Sequence, residues 1–269
     1  MIAQRVRGSS LWTPAKIATA VWLDASDSAS LTTVSNRVSE WRDKSGNARH
    51  ATQTNDSYRP TYSASAFNGK PGLSFDGVDD YLVTPATISG TDFTLAAAYA
   101  PTEIAIASSE GDAIASLSAA GVEANGYFHL IYRSDITNKL RWLTTTNGSD
   151  GGLSTAYLSA TATTAPVIAT AWRSPTETAL ALNGEVQSNA SDMEGGGSAV
   201  YANARVGVGT YFYAPLNYSG NIKIGEILVL IGAASLMTRQ RLEGYLAHKW
   251  GLTANLPAAH PYKVAPPRS

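Results

Sequence analysis

The chain contains no cysteine, which removes disulfides, thiolate metal ligands and cysteine nucleophiles together and makes folding indifferent to the redox compartment. Charge is scarce as well. Asp, Glu, Lys and Arg make up 15% of 269 residues, against roughly a quarter in an average globular chain, so the surface must be built mainly from Ser, Thr, Asn, Gly and Ala. Long amphipathic helices need charged outer faces, and their shortage here argues for sheets and loops. The formal net charge is −1 with no block of like sign, which leaves no electrostatic basis for binding nucleic acid. Long hydrophobic runs are missing too. The longest strongly apolar run, Ile227 to Ile231, is far too short to cross a bilayer, so no membrane insertion is expected. The opening residues MIAQRVRG lack the apolar core of an export signal.

What is present reads as strands. Gly72 to Leu82, GLSFDGVDDYL, places Leu73, Phe75, Tyr81 and Leu82 around a polar tip of Asp76, Gly77, Asp79 and Asp80. Asp-Gly is a strong hairpin signal, because Gly accepts positive φ and Asp can hydrogen-bond the backbone beyond it. A hairpin alone is marginal in water, so the remaining chain must supply neighbouring strands and a second layer. Further strands are expected at Ala20 to Asp24, Val34 to Trp41, Phe93 to Tyr99, Tyr127 to Tyr132, Lys139 to Leu143, Pro166 to Trp172, Thr178 to Leu182, Arg205 to Gly209 and Gly220 to Leu230. Asn183-Gly184 signals a two-residue hairpin. Ala48 to Lys70 reads as a long irregular connection, and Ile104 to Leu117 alternates weakly. About a dozen strands with short Gly/Asn/Asp/Ser turns indicate an all-β sandwich.

One helix is expected, from Arg239 to Trp250, because Leu242, Tyr245, Leu246 and Trp250 share a face. Thr238 suits its N-cap, His248 and Lys249 suit its negative end, and Gly251 suits a left-handed cap. Gly244 within it suggests close backbone approach to the sheet. The expected organisation is an arm over 1–19, a sandwich with its helix over 20–255, and a proline-rich tail over 256–269.

Several runs together carry a resemblance: LWTPA from Leu11, VWLDASD from Val21, VSEWRDKSGN from Val38, RPTY from Arg59, FDGVDDYL from Phe75, GEILVL from Gly225, LEGYLAHKWGL and LPAAHPYK. The series resembles the concanavalin A-like, laminin-G-like jelly-roll modules of bacteriophage virion and tail proteins and of some bacterial surface proteins. The likeness is close at the two ends and extends over Ala100 to Ala204 only in its rhythm of strands. It implies a two-sheet antiparallel jelly roll and, in phage proteins, a place on the particle surface. It implies no particular ligand, since lectins, glycosidases and structural modules share this fold.

The residues bear on three chemistries. Glycoside hydrolysis needs two carboxyl groups flanking the bond; the nearest pattern, Glu110-Gly111-Asp112, lacks a third same-face carboxylate because Ile114 stands there. His50, His129, His248 and His260 have no neighbouring serine or acid that would suggest a triad. Calcium takes closely spaced carboxylates, which Asp76, Asp79 and Asp80 offer, as do Asp24 and Asp27, although the same side chains suit amide capping in turns. Thr210 to Gly220 offers Tyr211, Phe212, Tyr213, Asn217 and Tyr218 in a Pro-containing loop, a composition suited to stacking on sugar, to a protein interface or to covering the core. Trp22, Trp41, Trp142, Trp172 and Trp250 are expected in the core.

The resulting expectation is a non-enzymatic phage virion structural protein, a capsid-decoration or tail/fibre component on the virion surface, assembled in the host cytoplasm. Its expected partners are other virion proteins and host-surface glycans, with no cofactor unless calcium is bound. A carbohydrate-binding receptor-recognition module and a polysaccharide-degrading glycosidase are the alternatives. No coiled-coil heptad enforces an oligomer, and a homo-oligomer remains compatible with the sequence.

Overall fold

The structure is a computed structural model that describes residues 10–102, 112–119, 127–133, 139–145, 153–157, 163–174, 176–190, 201–213 and 216–269. Its strands in chain order begin with β1 (Val21–Asp24), β2 (Leu31–Val34), β3 (Arg37–Trp41), β4 (Ala51–Thr52), β5 (Thr61–Phe67), β6 (Lys70–Asp76), β7 (Leu82–Val83), β8 (Ile88–Gly90), β9 (Phe93–Pro101) and β10 (Asp112–Ala119). They continue with β11 (Tyr127–Arg133), β12 (Lys139–Thr145), β13 (Leu153–Tyr157), β14 (Val167–Ser174), β15 (Glu177–Leu182), β16 (Glu185–Ala190), β17 (Tyr201–Val208), β18 (Thr210–Tyr213), β19 (Leu216–Ser219) and β20 (Asn221–Ile231). A single α-helix among the described residues, α1 (Leu236–Trp250), follows.

The ladders are antiparallel and fall into two layers. One sets β1 and β6 against β20, followed by β9, β14, β15 and β16. The other runs β2, β3, β4, β7, β17, β10, β11, β12 and β13, with β8 also on β17. Strand β5 pairs with both β6 and β3 and joins the layers at one side. This is the expected all-β antiparallel sandwich with a C-terminal helix.

Strand β9 shows how the sequence divides its burial. Phe93, Leu95, Ala97 and Tyr99 enter the core shared by the two layers. Their alternates Ala96, Ala98 and Ala100 face the cluster built from α1. Period two therefore sorts large residues inward and small ones toward the helix, which needs room to lie close. The apolar run reads as continuous because both faces are covered.

Strand β20 changes phase midway. Ile222 and Ile224 enter the inner core, as do Ile227 and Val229, whereas Leu228 and Leu230 meet the helix. The switch occurs at a β-bulge between Ile224 and Glu226. A bulge adds one residue to one strand and reverses the facing of everything beyond it. Glu226 thereby turns toward the helix instead of the hydrophobic interior. Gly225 is the extra residue, and a Cβ there would press on Phe67 and Trp250.

Several local expectations are corrected. Asp76 to Leu82 is no hairpin: β6 pairs with β20 and β5, while β7 pairs with β17 and β4. The turn carries the chain from one layer to the other, which buries Phe75 and Leu82 in the same core. Val34 to Trp41 is not one strand: exposed Val34 ends β2, Ser35 and Asn36 turn at positive φ, and β3 returns from Arg37. The connection after Ala48 contains strand β5, so it is less irregular than expected. Helix α1 starts earlier than expected, and Ser235 caps it by accepting from Thr238 N–H at 3.3 Å. Gly244 yields space to the Tyr262 side chain, not to the sheet. Gly251 does hold the left-handed cap at φ 74°, and Asn183-Gly184 does join β15 to β16.

Candidate functional site

The acidic turn between β6 and β7 gathers three of the expected ligands. Oxygens of Asp76, Asp79 and Asp80 lie within 4.8 Å of one another. Asp76 Oδ1 accepts from the N–H groups of Val78 at 2.9 Å and Asp79 at 3.3 Å, and Asp80 Oδ2 accepts from Asp76 N–H at 3.2 Å. Asp80 is buried, and its Oδ1 faces Arg37 Nη2 at 3.5 Å. Burial, then the Asp76 charge, pushes the Asp80 carboxyl up to about 6, with Arg37 and the Asp76 amide opposing and Asp79 adding to the rise. Oxygen donors so placed suit a hard cation; the same oxygens also cap the turn.

The aromatic segment is more regular than the loop expected from its composition. It forms a separate two-stranded ribbon, β18 with β19, outside the main sheet. Backbone register sets Tyr211 opposite Tyr218, Phe212 opposite Asn217, and Tyr213 opposite Leu216. Its base is tied to β10: Gly209 N–H donates to Ile114 O at 3.0 Å, and Ser116 Oγ donates to Thr210 O at 2.9 Å. Gly220 closes the base by donating to Gly209 O at 2.9 Å. All five expected ligand residues thus lie on one ribbon anchored beside β10.

Asp24 and Asp27 are claimed by lysines. Lys44 Nζ lies 2.9 Å from Asp24 Oδ2 and 2.8 Å from Asp27 Oδ2. Lys249 Nζ, on the last turn of α1, lies 2.6 Å from Asp24 Oδ1 and 2.7 Å from Glu226 Oε2. Glu226 is fully buried and accepts from Trp22 Nε1 at 2.6 Å, Tyr245 Oη at 3.0 Å and Trp250 Nε1 at 2.8 Å. Burial raises the Glu226 carboxyl despite the Lys249 charge beside it. At Asp24 burial also acts upward, but Lys249, Ser26 and Lys44 outweigh it and hold the group below the usual range. The sequence offers Asp24 and Asp27 as calcium ligands or turn caps and assigns Glu226 no role beyond its strand. The signal that was available is a glutamate inside the apolar run GEILVL, since carboxylates are almost never fully buried unless paired.

Two concavities are formed among the described residues. One of about 240 Å³ lies along the seam of the termini and α1, where Trp12, Tyr245, Pro266 and Pro267 meet Lys249. The second, about 320 Å³, is polar and includes Asn68, Thr102, Thr164 and Lys223. The seam itself is a clasp: Leu11 bridges Arg268, and Trp12 N–H donates to Pro267 O at 2.9 Å. Trp12, which was not among the tryptophans expected inside, is buried, as are Trp22, Trp41, Trp172 and Trp250. The side chain of Trp142 lies outside the described residues.

Of the glycosidase pattern, Glu110 and Gly111 lie outside the described residues, and Asp112 opens β10. Three histidines have structural partners. His50 Nδ1 accepts from Asp43 N–H at 3.1 Å, His248 Nε2 lies 2.9 Å from Tyr262 O, and His260 Nε2 lies 3.2 Å from Glu243 Oε2 in a buried pair.

No protein-family model matches the chain, and no curated protein matches it in sequence. Solved structures do match in fold. Domain 4 of AbnA, a GH43 extracellular arabinanase from Geobacillus stearothermophilus, in complex with arabinotriose, aligns with a TM-score of 0.57 at 13% identity, covering 84% of this chain and 98% of that one. The binding domain of Paraclostridial Mosquitocidal Protein 1 gives 0.58 at 12% identity, over 86% and 52%. The ligand-binding domain of botulinum neurotoxin serotype D, in complex with N-acetylneuraminic acid, gives 0.52 at 13% identity, over 84% and 50%. The chain spans about half the length of these toxin domains. At such identities the likeness establishes the fold alone, an antiparallel β-sandwich.

Proposed function

We propose that this chain is a non-enzymatic, lectin-like module that binds glycan through the β18–β19 ribbon and is displayed on a bacteriophage particle, as a capsid-decoration, tail or fibre component. The glycan reading is carried by the ribbon, which concentrates Tyr211, Phe212, Tyr213, Asn217 and Tyr218 on a short element tied to the sandwich at its base. Sugar rings present an apolar C–H face that aromatic side chains cover, while amides and hydroxyls take the ring's polar groups. Structural neighbours described as complexes with arabinotriose and N-acetylneuraminic acid support the same reading. Support for a non-catalytic role comes from neighbours that are mostly binding domains. The virion half rests on the end motifs that resemble phage jelly-roll modules.

A glycan array tests the binding half. Reproducible hits abolished by Tyr211→Ala or Tyr213→Ala, with the melting temperature unchanged, are expected; hits that survive both substitutions would remove the ribbon from the site. Release of reducing ends from host polysaccharide would favour the glycosidase alternative. Mass spectrometry of purified particles tests the other half, and absence of the chain from them would refute it.

A further inference from the structure

The Lys249 ammonium is fixed by three neighbours: Asp24 Oδ1 at 2.6 Å, Glu226 Oε2 at 2.7 Å and Tyr245 Oη at 3.1 Å. An ammonium has three donors, so none is left for water. The carboxyl group it touches is equally constrained. Glu226 Oε1 accepts from Trp22 Nε1 and Tyr245 Oη, while Oε2 accepts from Trp250 Nε1. Trp22, Trp250 and Glu226 are all buried. The arrangement thus sets a primary amine, at the edge of the concavity beside Trp12, against a carboxyl group that is itself fully buried, with an ionised acid on the amine's other side.

We propose that Lys249 and Glu226 condense spontaneously, after folding, into an intramolecular isopeptide bond between Lys249 Nζ and Glu226 Cδ, with Asp24 as the general base. The roles follow from the surroundings. Burial favours the neutral acid at Glu226, the form an amine can attack. Two lysines keep Asp24 ionised, as a base must be. Asp24 takes one proton from the ammonium, and the freed Nζ lone pair attacks Cδ. Electrons of the carbonyl move to Oε1, where the Trp22 N–H and Tyr245 O–H already point and serve as an oxyanion hole. The Oε2 hydroxyl departs with a second ammonium proton as water. The third stays on the amide nitrogen, and Asp24 passes its proton to solvent. No oxidant or other reactant is required. Holding amine and acid in contact replaces a bimolecular encounter, worth effective concentrations of about 10⁵–10⁸ M in well-oriented systems. The bond would fasten the last turn of α1 to β20 irrespective of what the module binds.

Intact-mass measurement of the purified full chain tests this directly, because the linked protein is lighter by one water than its sequence. Tandem mass spectrometry is expected to recover a branched peptide joining Lys249 to Glu226, with tryptic cleavage after Lys249 blocked. The variant Lys249→Arg should show the full mass, and Asp24→Asn should accumulate the linked form more slowly. A wild-type chain at full mass, yielding separate peptides for the two residues, overturns the proposal. A branch from Lys249 to Asp24 would overturn the assignment of electrophile and base.

Discussion

The ring of Phe75, on the strand that leads into the acidic turn, fills the space a side chain at Gly209 would need. Gly209 also sits at φ +72° and links the end of β17 to the aromatic ribbon. The two sequence features singled out for function therefore share one packing contact. Gly209→Ala is expected to cost about 2 to 4 kcal/mol, combining left-handed strain with displacement of a core ring. Urea denaturation measures this. A loss under about 1 kcal/mol would mean that the ring moves aside freely.

Lys249 is the cation beside two carboxyl groups that the sheet buries, Asp24 and Glu226. Lys249→Met leaves Glu226 with no cation and Asp24 with Lys44 alone. Breaking a buried ion pair from one side typically costs about 3 to 5 kcal/mol. The loss should appear as a lower denaturation midpoint. A midpoint equal to wild type would show that Trp22, Tyr245 and Trp250 satisfy Glu226 without the lysine.

Asp80 gives the stability a pH dependence of unusual sign. Its carboxyl is pushed up to about 6 in the folded chain, against 3.8 as its ordinary value. The folded state therefore holds the proton more tightly than the unfolded state between these values, and stability falls as pH rises through that window. The penalty is absent below about pH 4 and complete above about pH 6.5, on the order of 2 kcal/mol. Other carboxylates act oppositely, so the readout is the difference between wild type and Asp80→Asn from pH 4 to 7. A difference independent of pH would contradict this account.

The carboxylates of the acidic turn already accept backbone amides, and Arg37 faces the buried one. Chelation with EDTA is accordingly expected to leave the melting temperature unchanged. A fall on chelation, restored by calcium, would assign a cation to Asp76, Asp79 and Asp80.

Helix α1 is capped by Ser235, not by the threonine three residues later. Ser235→Ala should cost about 1 kcal/mol and Thr238→Ala less, compared by thermal melts. The reverse order would return the cap to Thr238.

The sandwich class, the helix, its left-handed cap and the Asn183-Gly184 hairpin were legible in the sequence because each depends on local pattern: alternation, helical spacing or positive φ. The hairpin read at Asp76-Gly77 shows where such reasoning stops. A tight turn fixes the direction of the backbone for a few residues, but pairing is decided by which distant strands compete for Leu82 and Val83, and β17 and β4 win. The candidate residues were legible as composition, and their grouping was partly local: three aspartates in one turn, five aromatic and amide residues in one ribbon.

By itself, the sequence determined that this chain must be a low-charge, cysteine-free β-sandwich, since alternation and turn chemistry are properties of neighbouring residues. Only the tertiary structure decided that Asp24, Glu226 and Lys249 meet. A bulge at Gly225 had to turn one carboxylate toward the helix, and the pairing of β1 with β20 had to bring the other alongside. Contacts between positions some two hundred residues apart depend on strand order and register, which no local pattern encodes.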